Sequence, residues 1–280
     1  MSGVPVRLAL FGALLAAVFG VAAAVGAVVK PGHPAASDSA ASMHGMKAAP
    51  LGLGVSDERY TLAPATFAAL PGRPTSLRFR ITDQHGSVVR SGFELEAQRK
   101  LHLIVVRRDL RGYQHLHPAE SADGTWSVPA TLPGAGVYRV FADFQIDGQK
   151  HVLAGDLTVP GSYVSAALPA PSPTAAVDGY RVRLTSAALR ANRETDLAFT
   201  VSRGGRPITG LQPYLGALGH LVALRQGDLG YLHIHPHAHA ETGVVPFAAT
   251  FPSAGSYRLF LQFQTDGTVH TTSFTVKVAP

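Results

Sequence analysis

The residues of this 280-residue chain best suited to chemistry are two histidine clusters with the same internal spacing. The first reads Leu101-His102-Leu103-Ile104-Val105-Val106 and then Gly112-Tyr113-Gln114-His115-Leu116-His117-Pro118. The second reads Gly219-His220-Leu221-Val222-Ala223-Leu224 and then Gly230-Tyr231-Leu232-His233-Ile234-His235-Pro236, and fifteen positions separate first from last histidine in both. Along a strand, residues i and i+2 face the same side, so His115 with His117, and His233 with His235, each offer two imidazoles on one face. A turn around Arg108-Asp109-Leu110-Arg111 would fold the preceding strand back, setting His102 opposite His117 and Ile104 opposite His115. Three converging imidazoles suit Cu(II) or Zn(II), and the Irving-Williams order favours copper where both are present. Water, His151, His270 or a carboxylate would take the fourth position. Asp143 is the nearest carboxylate in the first cluster, and its counterpart in the second is Gln262. The second cluster also continues through His237 and His239. Met43-His44-Gly45-Met46, with two thioethers and an imidazole, is a set suited to Cu(I). The competing expectation is structural, since His-x-His runs also occur in ordinary strands, where the ring fills half-buried space and donates to a carbonyl. His270 is in phase with Phe274 and Val276 and so is expected to point into a core.

The elements that must position these rings come in two diverged copies. Thr75–Ile81 lies over Thr195–Val201, Pro133–Phe141 over Pro252–Phe260, and Phe144–Gly148 over Phe263–Gly267, so that histidines 102, 115, 117 and 151 coincide with 220, 233, 235 and 270. Short apolar runs rich in Val, Leu, Phe and Thr, with 29 Gly and 20 Pro, predict many strands and tight turns. Each copy has about seven strand candidates in about 100 residues, the size of an immunoglobulin-like sandwich. Pro-x-Ala-Gly-x-Tyr resembles the corner of such folds in which a tyrosine hydroxyl ties back to the backbone. Asp147-Gly148 and Asp266-Gly267 are hairpin turn signals. The fold class expected is therefore all-β: two tandem immunoglobulin-like β-sandwich domains after an N-terminal transmembrane helix or signal sequence.

Leu8 to Val29 carries no charge and lies between Arg7 and Lys30, long enough to cross a bilayer as a helix. Residues 1–30 are read as that anchor or as a cleaved signal, 31–56 as a flexible Ala/Gly/Ser/Pro tether, 57–161 and 175–280 as the sandwiches, and 162–174 as a Pro-rich linker. The expected location is a cell membrane crossed once, with extracytoplasmic domains, or else secretion. Zero cysteines exclude disulfides, thiolate metal sites and thiol catalysis. The formal net charge of +6 comes from scattered Lys and Arg, which argues against nucleic acid as a partner. The sequence has no Gly-x-Ser-x-Gly elbow, His-Glu-x-x-His helix or Walker loop, so an enzyme is not expected.

The two Leu/Gly-His-Leu and His-x-His-Pro elements, each followed by Pro-x-Ala-Gly-x-Tyr-Arg and Phe-Gln-x-Asp-Gly, resemble a group of bacterial exported or membrane-anchored tandem β-sandwich proteins. The likeness covers most of residues 50 to 278. The chain is also distantly similar in type to YtkA-like and CopC-like metal-handling domains, although their Met-rich copper patterns are missing. The resemblance implies an exported sandwich pair and suggests copper. Two functions follow as expectations: copper buffering or delivery, with a protein partner for metal transfer, or a membrane-tethered adhesion or interaction module whose histidines are structural.

Overall fold

The computed structural model describes residues 51–234, 236 and 243–280. The apolar stretch Leu8–Val29, the tether up to residue 50 with Met43-His44-Gly45-Met46, and His235, His237 and His239 lie outside the described residues. Among the described residues no helix is long and apolar enough to cross a membrane. Both repeats belong to one compact unit, Lys47–Pro280.

The first repeat contains β1 (Tyr60–Thr66), β2 (Pro74–Asp83), β3 (Leu101–Arg107), β4 (Gln114–Leu116), β5 (Ala119–Glu120), β6 (Trp126–Thr131), β7 (Gly136–Ile146) and β8 (Gln149–Val159). The second contains β9 (Thr174–Val177), β10 (Tyr180–Ser186), β11 (Glu194–Arg203), β12 (Arg206–Pro207), β13 (Gly219–Arg225), β14 (Tyr231–Ile234), β15 (Val244–Thr250), β16 (Gly255–Thr265) and β17 (Thr268–Val278). One sheet of the first repeat runs β1-β2-β6-β5 and the other β4-β3-β7-β8. The second repeat copies this, with β12-β11-β10-β9, to which β15 adds beside β11, and β14-β13-β16-β17. Each repeat is an antiparallel, immunoglobulin-like sandwich, as the alternation of its strands predicts.

Period-two alternation sends Tyr138, Val140, Ala142 and Phe144 of β7 into the first core with Leu77, Phe79 and Trp126. Tyr257, Leu259, Leu261 and Phe263 of β16 do the same in the second, against Phe199 and Phe247. The expected corners are present. Tyr138 Oη donates to Gly134 O at 2.9 Å, and Tyr257 Oη to Ser253 O at 3.0 Å. The long β7–β8 and β16–β17 hairpins turn at Asp147-Gly148 and Asp266-Gly267, whose φ values of 52° and 68°, and 50° and 73°, are those of a type I′ turn.

A third apolar cluster lies between the repeats. Ile104, Val106 and Phe141 on the outer face of the β4-β3-β7-β8 sheet meet Val222, Leu224, Tyr231 and Phe260 of the β14-β13-β16-β17 sheet, so that these two are the inner sheets of the pair. Tyr113 stacks on Phe260 with ring centroids 4.1 Å apart, and Tyr231 packs on Phe141 at 5.2 Å. These two pairs are the same pair in the repeat alignment, so the sandwiches meet through like surfaces. Two segments assigned to tether and linker take part. Leu51 bridges to Tyr231, Ala154 N donates to Gly54 O at 2.7 Å, and Arg139 donates to the carbonyls of Gly52 and Leu53. Gly52, at φ +68°, lies so close that a Cβ there would come within 2.6 Å of Phe141. In the linker, Ala166 N donates to Asp109 and Leu168 packs on the third cluster.

Phe141→Ala should therefore cost about 3–5 kcal/mol in urea unfolding, the value for a large core ring. A cost below about 1 kcal/mol, ordinary for the outer face of an isolated sandwich, would mean that the repeats are not packed together.

Candidate metal centre

The β3–β4 hairpin has the register that its histidine spacing requires: Ile104 stands opposite His115, Leu103 opposite Leu116, and His117 follows where β4 ends. His102, Ile104 and Val106 point out of the first sandwich, and the second sandwich covers them. His102 is 1% exposed, and His115 and His117 are partly buried. One ring nitrogen from each of the three lies within 4.8 Å of the others. The ring centroids are 5.1 Å apart for His102–His115, 5.2 Å for His102–His117 and 4.7 Å for His115–His117.

The second repeat completes this site. His115 Nδ1 lies 2.7 Å from Gln262 Oε1, and the His220 ring centroid is 6.1 Å from that of His115. His102 Nε2 donates to Glu96 O at 2.9 Å, and His220 Nε2 makes the matching bond to Tyr214 O at 2.9 Å. A carbonyl only accepts, so Nε2 of His102 carries its proton and Nδ1 holds a lone pair. Gln262 Oε1 also only accepts, which leaves the lone pair of His115 on Nε2. These two nitrogens face each other at 2.9 Å. Two lone pairs at that distance repel unless a cation lies between them. The other arrangement turns the Gln262 amide over. Its Nε2 then donates to His115, His115 Nε2 donates to His102 Nδ1, and Thr271 Oγ1, now 3.2 Å from the amide, becomes its donor. His117 Nε2 is buried and has no hydrogen-bond partner.

Burial pushes the pKa of His115 well below the ordinary imidazole value, helped by His102 and His117 beside it. Burial also lowers His117, to about 3, with His102 and Arg99 as further causes. The His115 and His117 rings are therefore neutral at physiological pH.

The other proposed ligands lie elsewhere. His151 faces the core of its own sandwich, stacked on Phe144, with Nδ1 2.6 Å from Asp57 Oδ2. His270 does likewise beside Phe263, bonded to Asp178 at 2.7 Å and to Thr265 at 2.9 Å, the inward direction its phase predicts. Both sit an odd number of residues from the interface positions of β8 and β17, so the pleat turns them away from the triad. Asp143, the expected carboxylate, accepts from Tyr231 Oη at 2.8 Å and lies 3.5 Å from Lys150 Nζ. The backbone of His233 pairs with Val222, the counterpart of His115 with Ile104. The contribution of Gln262 from the other repeat was not expected. The signal for it was the run Leu101–Val106, apolar on both faces of one strand and so covered on both.

A family described as a domain of unknown function, DUF8832, matches residues 55–161 and 175–280, once for each sandwich. The chain belongs to this family. No curated protein matches it. Among solved structures, the Escherichia coli adhesin FdeC is 19% identical, covers 80% of this chain and has a TM-score of 0.28. The Yersinia pseudotuberculosis adhesin InvE is 13% identical over 77% of the chain, with a TM-score of 0.25. Invasin, a bacterial integrin-binding protein, is 14% identical over 78%, also at 0.25. The DUF8832 chain spans 65% of the FdeC chain, 58% of InvE and 40% of invasin. The expected likeness to YtkA-like and CopC-like domains finds no support in these matches.

Lowered imidazole pKa values mean that below pH about 6.5 the unfolded chain binds protons that the folded chain does not. Stability from these rings is complete above that pH and is lost as the pH falls toward about 3. Urea midpoints should therefore drop from pH 7.5 to 4.5, and His117→Gln should flatten the slope by up to one proton. Parallel slopes for the two proteins would contradict a buried, neutral His117.

Proposed function

We propose that this chain is an extracytoplasmic metal-binding protein that buffers or passes copper through His102, His115 and His117, at a site which both sandwiches build. The lone pairs of His102 and His115, facing each other 2.9 Å apart, carry this reading. Two nitrogens at that separation, each about 2.0 Å from a shared ion, subtend about 90° at it. That is the cis angle of a tetragonal Cu(II) site and is narrower than tetrahedral zinc requires. Gln262, fixing the far nitrogen of His115, plays the part that outer hydrogen bonds play around metal-bound imidazoles. The unpartnered Nε2 of His117 is the third donor. His220 is buried with its ring centroid 6.1 Å from that of His115, and His233, His235, His237 and His239 would form the second repeat's share. Zinc is the alternative ion, the apolar N-terminal stretch would hold the protein at the membrane, and a protein partner would receive the metal.

A second reading has its own observation. With the Gln262 amide reversed, Gln262, His115, His102 and Glu96 form an unbroken chain of neutral hydrogen bonds. The histidines are then structural, and the tandem sandwiches are an interaction or adhesion module.

Calorimetric titration of the full chain with Cu(II) and Zn(II), beside electron paramagnetic resonance of the copper form, separates these readings. Copper should bind more tightly, with an axial spectrum carrying nitrogen coupling. A His115→Ala, His117→Ala double variant should lose that site, and Gln262→Ala should weaken it about 10- to 100-fold. A copper isotherm identical in wild type and double variant would establish the structural reading.

A further inference from the structure

The like surfaces through which the repeats meet make two corresponding grooves, and among the described residues only one is filled. In the first, the extended segment Leu51–Gly54 lies across Tyr231, Phe141 and the edge of β8. Tyr231 N donates to Leu51 O at 3.0 Å, Ala154 N to Gly54 O at 2.7 Å, and Arg139 Nη2 to Gly52 O at 3.1 Å and Leu53 O at 2.6 Å. Arg139 is held there by Asp156 at 3.1 Å.

The counterpart groove lies at the edge of β17. It is an open cavity of about 480 Å³ whose lining includes Arg111, Tyr113, Pro169, Arg258, Phe260 and Ser273. Tyr113, Arg258 and Phe260 stand where Tyr231, Arg139 and Phe141 stand in the filled groove. Ser273 stands opposite Phe260 as Ala154 stands opposite Phe141, so its amide faces the same open edge. The two grooves differ in charge. Thr275 replaces Asp156, and among the described residues Arg258 bonds to the hydroxyls of Thr275, at 2.8 Å, and Ser273. Arg111 adds a second guanidinium, and the two repel each other enough to lower the pKa of Arg258, after the effect of burial. Among the described residues neither arginine has a carboxylate within ion-pair distance.

We propose that this second groove binds an extended acidic peptide strand from a partner protein. The strand would lie along β17 as Leu51–Gly54 lies along β8, its carbonyls accepting from Ser273 N–H and Arg258. Its Asp or Glu side chain would supply the carboxylate that Thr275 lacks, paired with Arg258 and Arg111. Strand addition at an open edge takes its register from backbone bonds and its selectivity from side-chain pockets. Here the selective element is a pair of arginines that no carboxylate of the described residues neutralises. The inference is independent of the metal reading, because no histidine takes part.

The test is fluorescence polarisation on the full chain with a labelled peptide Leu-Gly-Asp-Gly-Val, which copies Leu51–Val55 with aspartate in the third place. It should bind at least about tenfold more tightly than the same peptide with lysine there. Binding should weaken about tenfold in Arg258→Gln and measurably in Arg111→Gln, whose side chain is exposed and whose loss leaves the fold intact. Equal affinity for the aspartate and lysine peptides, or no change in Arg111→Gln, would overturn the proposal. So would sulfate displacing the peptide at concentrations that bind equally well without it, which would mark an anion site only.

Discussion

The outer face of each inner sheet is kept out of water by the same face of the other repeat, and the remaining features of this fold follow from that burial. An antiparallel sheet commonly keeps one face wet and shows alternating apolar and polar residues. β3 and β13 do not alternate. Leu101, Leu103 and Val105 fill the first sandwich while Ile104 and Val106 fill the joint, and Leu221 and Ala223 divide from Val222 and Leu224 in the same way. A polar group on those faces is then costly unless it finds a partner, and most do. His115 finds Gln262, Asp143 finds Tyr231, and His102 finds Glu96 O. The polar cluster with metal-ligand geometry is thus a consequence of packing two sheets that each carry polar residues among apolar ones.

Much of this was legible in the sequence, because strand physics is local. The corners, the Asp-Gly turns and the pairing of Ile104 with His115 all rest on period-two alternation and turn chemistry within a few residues. The joint was not, because it depends on which face of which sheet meets which, and repeats of separate domains are usually joined by a loose linker. Residues 51–56 show a second limit. Their role lies in carbonyl oxygens that accept from Arg139 and Ala154 N–H, and the composition of a short Gly-containing segment carries no trace of such bonds. The matching of His151 to His270 was correct, but its meaning was different: an imidazole repeated at one place in two copies caps each core beside Asp57 or Asp178. Only phase told these apart from the triad, and His270 in step with Phe274 was the informative case.

The copies differ in charge at the joint itself. Lys150 and Asp143, 3.5 Å apart in the first repeat, become Val269 and Gln262 in the second, so that a charged pair is replaced as a pair by neutral groups. Losing only the lysine would have left a buried carboxylate beside His115 and raised its pKa. With an amide there, His115 keeps a hydrogen-bond partner and gains no counter-charge. Burial and the positive charge of Arg99 then hold the neighbouring ring neutral as well. Protons and metal ions compete for the same nitrogen lone pairs. A pocket that refuses protons down to about pH 3 on His117 leaves those lone pairs available to a metal over the whole neutral and mildly acidic range. The joint that fixes the rings in place thus also keeps protons off the His115 and His117 nitrogens.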